Sequence, residues 1–314
     1  MKTIVYHSGA LGDFLAILPL ISFWRTRDPG GIVILVGKKA YAELTEPTTL
    51  FDEVWDVGSK AMLGLFSIRL PGPMADELST FDAAILFAPD HSPVIGNMRQ
   101  AGIRQIYYHS PFPKERIHIV DYHLGLLKHG QSDTVPPLIL PLNYGAHYGE
   151  MAYQLRAGRS NLVFIHPGSG SRRKNWPFDR FLTLAGQLRQ QGLDVIWLGG
   201  EVEEEISCPA SDLILRHKPL PVLALLLGGA RLYIGNDSGI THLAAATGCP
   251  TVALFGPSDR VVWAPRGRRV TIVSTPSDCA PCHPGNIPAN QCRQECLTRL
   301  TMEKVLAACL ERIS

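Results

Sequence analysis

Apolar residues in the first half of the chain fall into short, nearly continuous runs bounded by Gly, Pro and polar turns. Such runs are typical of parallel strands that helices cover on both faces. The predicted strands cover residues 3–7, 32–36, 54–57, 81–87 and 103–107, and the predicted helices cover residues 38–44, 93–101 and 117–129. A Gly-bearing loop and a helix follow the opening run, as in the first unit of a doubly wound domain.

The second half of the chain repeats this alternation. The predicted strands cover residues 161–165, 193–198, 211–215, 231–234 and 250–254, and the predicted helices cover residues 150–156, 178–191, 219–227, 242–247 and 300–313. Strands that alternate with helices predict an α/β protein with a parallel sheet in each half and helices on both faces.

A Pro-containing and then polar stretch separates the two halves. Residues 136–141 look extended, and residues 143–149 are polar and Gly-bearing, which is typical of a linker. We therefore predict domains of residues 1–149 and 150–314, with the final helix crossing back over their interface. Two α/β domains joined by one crossing leave a cleft between them, where ligands often bind.

The composition is that of an ordinary soluble globular protein. The 314 residues are 46% hydrophobic and 18% charged, and this length favours two domains of about 150 residues each. The net charge of +2 gives no reason to expect a nucleic-acid partner. The sequence shows no signal peptide and no membrane-spanning apolar run. The odd number of cysteines, seven, then favours reduced thiols in the cytoplasm.

The most informative stretch is a strand, a turn and a small-residue helix at residues 233–254. Asn236, Asp237 and Ser238 are all favourable N-cap residues. Backbone N–H groups from Ser238 to Thr241 would form an anion site suited to phosphate at the positive end of the helix dipole. Because a carboxylate repels phosphate, Asp237 either binds a hydroxyl-rich neighbour such as a sugar or simply caps the helix. The pattern leaves both interpretations open.

Three other polar positions follow predicted strands. Asp13 begins the first helix at the sheet edge where ligands bind in open α/β folds, although a first-turn acid also serves the helix dipole alone. The loop at residues 166–177 has three consecutive cations, which either bind phosphate or form a solvated cluster. Glu203 follows a Gly-Gly pair, where an acid can bind ribose hydroxyls. In isolation, however, its place in a first helical turn is explained by the dipole.

The central stretch closely resembles the donor-site signature of glycosyltransferase family 9, the ADP-heptose:lipopolysaccharide heptosyltransferases of Gram-negative bacteria. The match consists of Asp-Ser-Gly-Ile-Thr-His-Leu-Ala-Ala-Ala at residues 237–246 and Pro-Thr-Val-Ala-Leu-Phe-Gly-Pro-Ser-Asp at residues 250–259. Shorter matches occur at Leu11-Gly12-Asp13 with Pro19, at Pro167-Gly168 with Lys174-Asn175-Trp176-Pro177, and at Gly199-Gly200 with Glu203. The resemblance therefore covers nearly the whole chain.

The resemblance implies a GT-B fold, in which two Rossmann-like doubly wound domains face each other across a cleft. It implies an inverting transfer of heptose from ADP-heptose to a lipopolysaccharide core acceptor, with Asp13 as the catalytic base. The implied contacts are Lys174, Ser169, Ser238, Gly239, Thr241 and His242 to the donor diphosphate, Glu203 to the ribose, Asp237 to the donor sugar, and Gly9 and Gly12 in the acceptor-side loop. His7 stands where the family usually has Arg or Lys.

The same resemblance implies a cytoplasmic enzyme, peripheral to the inner face of the membrane, with a nucleotide-sugar donor and a lipid-linked or core oligosaccharide acceptor. Lipid A–Kdo, a heptosylated core and an outer-core sugar all remain compatible as acceptors. No cofactor or metal is required if Lys174 and the helix amides neutralise the diphosphate, although Mg²⁺ is compatible with the pattern.

Four cysteines near the end of the chain have spacings that a tetrahedral zinc site can use: Cys279, Cys282, Cys292 and Cys296. The loop between the two pairs has nine residues, and nearby prolines restrict it. A structural loop with free or paired thiols is therefore favoured over zinc, and zinc over redox chemistry.

Two other classes of function remain open. A GT-B enzyme of another kind, with a different donor or acting as an epimerase, would share the nucleotide-sugar site. A non-catalytic nucleotide-sugar-binding module would tolerate the loss of Asp13. An NAD oxidoreductase is disfavoured, because the Gly-x-Gly-x-x-Gly spacing is absent after the first strand.

Overall fold

The computed structural model of the protein describes residues 1–127, 138–200, 208–282 and 292–313. The chain divides into two compact units, Met1–Pro136 and Pro137–Ser314. Each unit contains one parallel sheet, as the alternation of apolar runs and helical segments predicted.

Five strands form the sheet of the first unit. They are β1 (Lys2–His7), β2 (Ile32–Gly37), β3 (Glu53–Asp56), β4 (Ala83–Phe87) and β5 (Gln105–His109), in the order β3-β2-β1-β4-β5. The helices are α1 (Leu11–Arg27), α2 (Lys39–Ala42), α3 (Gly72–Leu78), α4 (Pro93–Gln100) and α5 (Ile119–Gly125), with 3₁₀ helices at Glu43–Thr45 and Lys60–Phe66. Adjacent residues Ile4 and Val5 of β1 are both fully buried, so both faces of this sheet are covered.

The strands of the first unit end at a common edge. His7 pairs with Gly37 and Phe87, and Phe87 pairs with His109. The strand order reverses between β1 and β4, since the chain adds β2 and β3 on one side and then β4 and β5 on the other. Such a switch point is the preferred ligand position of an open α/β sheet.

Six strands form the sheet of the second unit. They are β6 (Leu162–His166), β7 (Asp194–Gly199), β8 (Ile214–Arg216), β9 (Leu232–Asn236), β10 (Thr251–Phe255) and β11 (Val270–Ser274), in the order β11-β10-β9-β6-β7-β8. The helices are α6 (Ala146–Arg156), α7 (Phe178–Gln190), α8 (Leu220–Gly228), α9 (Gly239–Ala246), α10 (Arg260–Trp263), α11 (Glu295–Thr298) and α12 (Met302–Ile313), with a 3₁₀ helix at Arg172–Lys174. The strand order reverses between β6 and β9, which defines the switch point of this unit.

The division between the units falls before the predicted boundary at residue 149. Leu140 is buried, and its N–H donates to the carbonyl of Ala246 in α9 at 2.8 Å. Helix α6 then packs against α8. Residues 138–149 therefore belong with the second unit, because burial attaches them to it although their composition is that of a linker. The final helix, α12, packs against α7 and against β9, β10 and β11 of the same unit.

Several elements differ from their predicted positions. Strand β5 begins two residues after residue 103. Strand β8 covers Ile214–Arg216 and overlaps the region predicted at 211–215 only at its last two residues. Helix α9 begins at Gly239 rather than at residue 242, because Ser238 caps it. The pattern did not predict α3, α10, α11 or β11. None of the helices in the described ranges combines the length and the apolar character that a membrane span requires.

Candidate functional site

The loops after β6 and β9 lie side by side at the switch point of the second sheet, because these two strands are neighbours. Helix α9 begins there, and Ser238 is its N-cap. The Ser238 hydroxyl accepts the N–H of Thr241 at 3.3 Å. Nδ1 of His166, the last residue of β6, lies 3.3 Å from the same hydroxyl. The positive end of the helix dipole is thus placed at the strand edge where ligands bind.

Asp237 is the buried acid of this site. Its Oδ2 accepts a hydrogen bond from Lys174 Nζ at 2.8 Å and another from Ser258 Oγ at 2.5 Å. The Asp237 side chain is 8% exposed, whereas that of Lys174 is 38% exposed. Because an ammonium has three N–H donors, Lys174 can hold Asp237 and still present donors to a ligand. The two residues that the sequence assigned to separate parts of a donor are in direct contact here.

The loop that carries Lys174 is held by side-chain hydrogen bonds that the sequence did not predict. Ser169 Oγ donates to Asn175 Oδ1 at 2.6 Å, and the Ser171 N–H donates to Ser169 Oγ at 3.2 Å. Asn236, which is fully buried, accepts the Trp176 N–H at 3.0 Å and donates from Nδ2 to the Pro167 carbonyl at 2.6 Å. Asn236 therefore connects the end of β9 to both ends of the loop after β6.

The hydrogen bonds of Thr241 and Ser169 are formed with other residues of the chain. Thr241 is fully buried, and its Oγ1 lies 3.0 Å from both Ser238 Oγ and Tyr233 OH and donates to the Asn236 carbonyl at 2.5 Å. Its N–H is engaged by the cap, so the predicted row of outward N–H groups from Ser238 to Thr241 is shorter by one. Ser169 is also buried. Both residues hold the turns of the site, and their contacts to a donor diphosphate stay predictions.

The structure brings most of the predicted donor residues together. Ser238 begins α9, Gly239 is its first residue, and the N–H of His242 donates to the Ser238 carbonyl at 3.2 Å. Glu203, predicted for the ribose, lies outside the described residues. The residues that sequence reasoning missed are His166, Asn175 and Asn236. The sequence signals that could have identified them as site residues were their positions, at the end of a strand for His166 and Asn236 and within a matched motif for Asn175.

Asp13 lies in the first turn of α1, at the switch point of the first sheet. Its Oδ2 accepts the N–H of Ala10 at 3.2 Å, and Gly12 precedes it in the same turn. A Cβ atom at Gly9 would lie 3.1 Å from His7 Nε2 and 3.2 Å from Asp13 Oδ2, which are tight contacts for a Cβ atom. The absence of a side chain at residue 9 therefore allows His7 and Asp13 to approach the same point.

Buried imidazoles surround this edge of the first sheet. Burial, reinforced by the charge of Lys38, lowers the pKa of His7 to about 4. Burial, followed by the charges of His109 and His7, lowers the pKa of His123 to about 3. Burial also lowers the pKa of His109. These rings are neutral at physiological pH, so the position where the family usually has a cation is uncharged here.

All seven cysteines lie in the described part of the chain and are free thiols. Burial, followed by the neighbouring thiols of Cys279, Cys282 and Cys292, raises the pKa of Cys296 to about 11. No group of three or more His, Cys, Asp or Glu within the described ranges has a metal-holding arrangement. The Cys282 thiol donates to the Cys279 carbonyl at 3.2 Å. A zinc site at the four cysteines stays a prediction.

Two doubly wound parallel sheets, with a capped helix N-terminus at the switch point of the second, define a Rossmann-like protein of two domains. The chain belongs to glycosyltransferase family 9 (heptosyltransferase), whose family model matches residues 83–291. The family predicted from the motifs is thereby confirmed, and so is the GT-B class of fold.

Individual relatives match to different extents. Lipopolysaccharide heptosyltransferase 2 of Escherichia coli K12 is 24% identical over 315 residues, which cover 87% of this chain and 88% of the relative. Lipopolysaccharide heptosyltransferase 3 of Escherichia coli is 29% identical over 115 residues, covering 33% of this chain and 34% of the relative. The chain thus spans about a third of the length of the first curated relatives it matches.

A solved structure of Escherichia coli ADP-heptose lps heptosyltransferase II superposes with a TM-score of 0.78, over 100% of this chain and 98% of that one. The sequence identity is 17%, so this likeness concerns the fold.

Proposed function

We propose that the protein transfers a heptose from ADP-heptose to a lipopolysaccharide core acceptor, with inversion at the anomeric carbon. The observation that carries this proposal is the group formed by Lys174, Asp237 and Ser258 beside the N-terminus of α9. A cation and a helix N-terminus suit a diphosphate, and a buried carboxylate next to them suits the hydroxyls of a sugar.

The donor diphosphate is bound by Lys174 and by the first turn of α9. During transfer, negative charge grows on the leaving ADP, and each preorganised hydrogen-bond donor to it can contribute about 3 kcal/mol to the barrier reduction. Among the described residues, both hydrogen bonds of the Asp237 carboxylate end on Oδ2. We assign Oδ1 to a heptose hydroxyl, so that one carboxylate orients both the lysine and the sugar.

Asp13 accepts the proton of the acceptor. The hydroxyl oxygen of the acceptor forms a bond to the anomeric carbon of the heptose while the bond from that carbon to the ADP oxygen breaks. The proton of this hydroxyl passes to the Asp13 carboxylate. A carboxylate can take the proton of a hydroxyl within hydrogen-bond reach, which is the task of a general base. The position of Asp13 at the switch point of the first sheet supports this role.

The printed functions of the relatives support the donor and acceptor classes. The relative that matches over 88% of its own length is a lipopolysaccharide heptosyltransferase. A protein of the same fold is an ADP-heptose lps heptosyltransferase. We extend these functions to the present chain, and with them a cytoplasmic enzyme that works at the inner face of the membrane. Glu203 remains our candidate for the ribose contact.

Calorimetric binding of ADP, UDP and GDP, followed by an assay of ADP release, tests the proposal. We expect ADP to bind more tightly than the other two nucleotides, and ADP-heptose to release ADP faster when core oligosaccharide is added. Preference for UDP or GDP would contradict the donor. If ADP were released equally fast with and without every acceptor, the result would favour hydrolysis or epimerisation of the donor over transfer.

The same assay tests the assignment of charge neutralisation to Lys174 and α9. We expect turnover to be unchanged when EDTA removes divalent cations, because these groups already face the diphosphate. Loss of turnover in EDTA that Mg²⁺ restores would show that a metal shares this role.

A further inference from the structure

The 3₁₀ helix at Lys60–Phe66 and the three residues after it expose large apolar side chains to solvent. Leu63 is 66% exposed, Ile68 is fully exposed and Phe66 is 39% exposed. We call these three residues the apolar crest. The residues Leu65 and Leu70 of the same segment are buried in the core of the first unit, so the segment separates an inward and an outward apolar face.

The crest is held in place by polar contacts from the buried side. Asn97 is buried in α4, and its Nδ2 donates to the carbonyls of Leu65 and Ser67, both at 2.9 Å. Ser67 Oγ lies 2.6 Å from the Gly64 carbonyl and 2.7 Å from the Arg69 carbonyl, and its single O–H can donate to either. A segment fixed by these hydrogen bonds presents its apolar side chains in a defined geometry, and exposed apolar patches mark interaction sites.

Two cations flank the crest, and they indicate the kind of partner. Lys60 and Arg69 are both exposed, and neither forms an ion pair with a described residue. Residues 59–70 contain no acid. Apolar side chains that penetrate the boundary of a bilayer, with Lys and Arg at the level of the headgroups, are the features of interfacial membrane binding. The cytoplasmic leaflet is anionic and attracts such cations.

We propose that the crest docks the protein on an anionic phospholipid bilayer, with Leu63, Phe66 and Ile68 entering the interface and Lys60 and Arg69 contacting headgroups. The proposal rests on the proposed function in one respect, since an enzyme with a lipid-linked acceptor must work at such a surface. The single 3₁₀ segment binds the membrane reversibly, because its apolar area is small compared with that of a long amphipathic helix.

Flotation of the full chain with vesicles tests this proposal. Vesicles of phosphatidylethanolamine and phosphatidylglycerol are compared with neutral phosphatidylcholine vesicles at low and high salt. We expect wild type to float with the anionic vesicles and the double variant Leu63→Ser, Ile68→Ser to lose at least about 10-fold in partitioning. The variant Lys60→Gln, Arg69→Gln should lose about 10-fold at low salt and should have a weaker salt dependence.

Ile32→Ser is the matched control. Ile32 is a half-exposed residue at the N-terminal end of β2, outside the crest, and its variant should float as wild type does. Equal flotation of wild type and the crest double variant would overturn the proposal. So would a crest-dependent dimer in sedimentation velocity with no wild-type flotation, which would make the crest a protein–protein interface.

A soluble, deacylated core oligosaccharide separates this inference from the proposed function. We expect the crest double variant to release ADP with this acceptor as fast as wild type does, and to be slower only with acceptor embedded in vesicles. Transfer to soluble acceptor without flotation of wild type would leave the proposed function standing and remove the docking surface. Crest-dependent flotation without any transfer would leave the docking surface standing and contradict the proposed function.

Discussion

The two sheet edges that carry the candidate residues differ in how their polar groups are held. In the second unit, Lys174 and Asp237 pair across 63 positions of sequence, and Asn236 and Trp176 pair across 60. In the first unit, the Asp13 carboxylate bonds to Ala10, three positions away, beside buried neutral imidazoles. The comparison teaches that the second edge pairs its acid directly with a lysine, whereas the first places its acid close to a buried, neutral imidazole.

The largest expected effect belongs to Asp13. Asp13→Asn keeps the shape of the side chain but removes its basicity, so we expect turnover to fall by about 10² to 10⁴ with ADP affinity unchanged. Initial rates of ADP release and calorimetry measure the two quantities. Asp76→Asn, on the exposed face of α3, is the matched control and should behave as wild type. Wild-type turnover of Asp13→Asn would remove this residue from the role of base.

The pH dependence of folding should come from the first unit. The folded pKa of His7, about 4, lies below the ordinary value of 6.5. The contribution of His7 to the free energy of unfolding is therefore complete above pH 6.5. It is lost as the pH falls toward 4, because between these two values His7 binds a proton in the unfolded chain but not in the folded one. For His7 the loss is on the order of 3 kcal/mol in the free energy of unfolding.

Urea unfolding between pH 7 and pH 4.5 measures this loss, and His123 should add to it in the same direction. His123→Phe retains an aromatic ring in its place and should flatten the dependence. The exposed His147→Gln is the matched control. An equally steep dependence in His123→Phe and in wild type would show that His123 does not contribute to the acid sensitivity.

Lys174 should affect binding more than folding. Lys174→Ala removes a charged donor from the diphosphate, and we expect ADP affinity to fall by about 10- to 100-fold, which corresponds to the strength of a charge-assisted hydrogen bond. Calorimetry measures this change, and Lys304→Ala, an exposed lysine of the same unit, is the control. Undiminished ADP affinity would mean that Lys174 serves only as the partner of Asp237.

The smallest effect should come from the buried support of the turn. Thr241→Val keeps the volume but leaves the Tyr233 hydroxyl and the Asn236 carbonyl without this partner, at a cost of about 1–3 kcal/mol in the free energy of unfolding. The control Thr247→Val removes one local bond, to the Ala244 carbonyl, and should cost less. Urea titration compares the two. Equal costs would indicate that the network around Asn236 is no more cooperative than an isolated bond.

Sequence patterns predicted the part of the candidate site that consists of neighbouring residues. As the sequence indicated, a helix follows a buried strand and one of three adjacent cap residues begins it, although the helix starts at Gly239 and not at residue 242. The choice of Ser238 among Asn236, Asp237 and Ser238 was not predictable, because all three side chains can cap. Asn236 instead faces the loop after β6, and Asp237 faces Lys174.

By itself, the sequence determined the alternation of strands and helices, the parallel sheets and the family, because continuous apolar runs and motif spacings are properties of neighbouring residues. Only the tertiary structure decided that β6 lies next to β9, and hence that Lys174 meets Asp237 and Asn236 supports the loop after β6. It also decided that residues 138–149 pack with the second unit and that Leu63 and Ile68 face solvent. These outcomes depend on strand order and on which face is covered, and neither is encoded in the periodicity of a single segment.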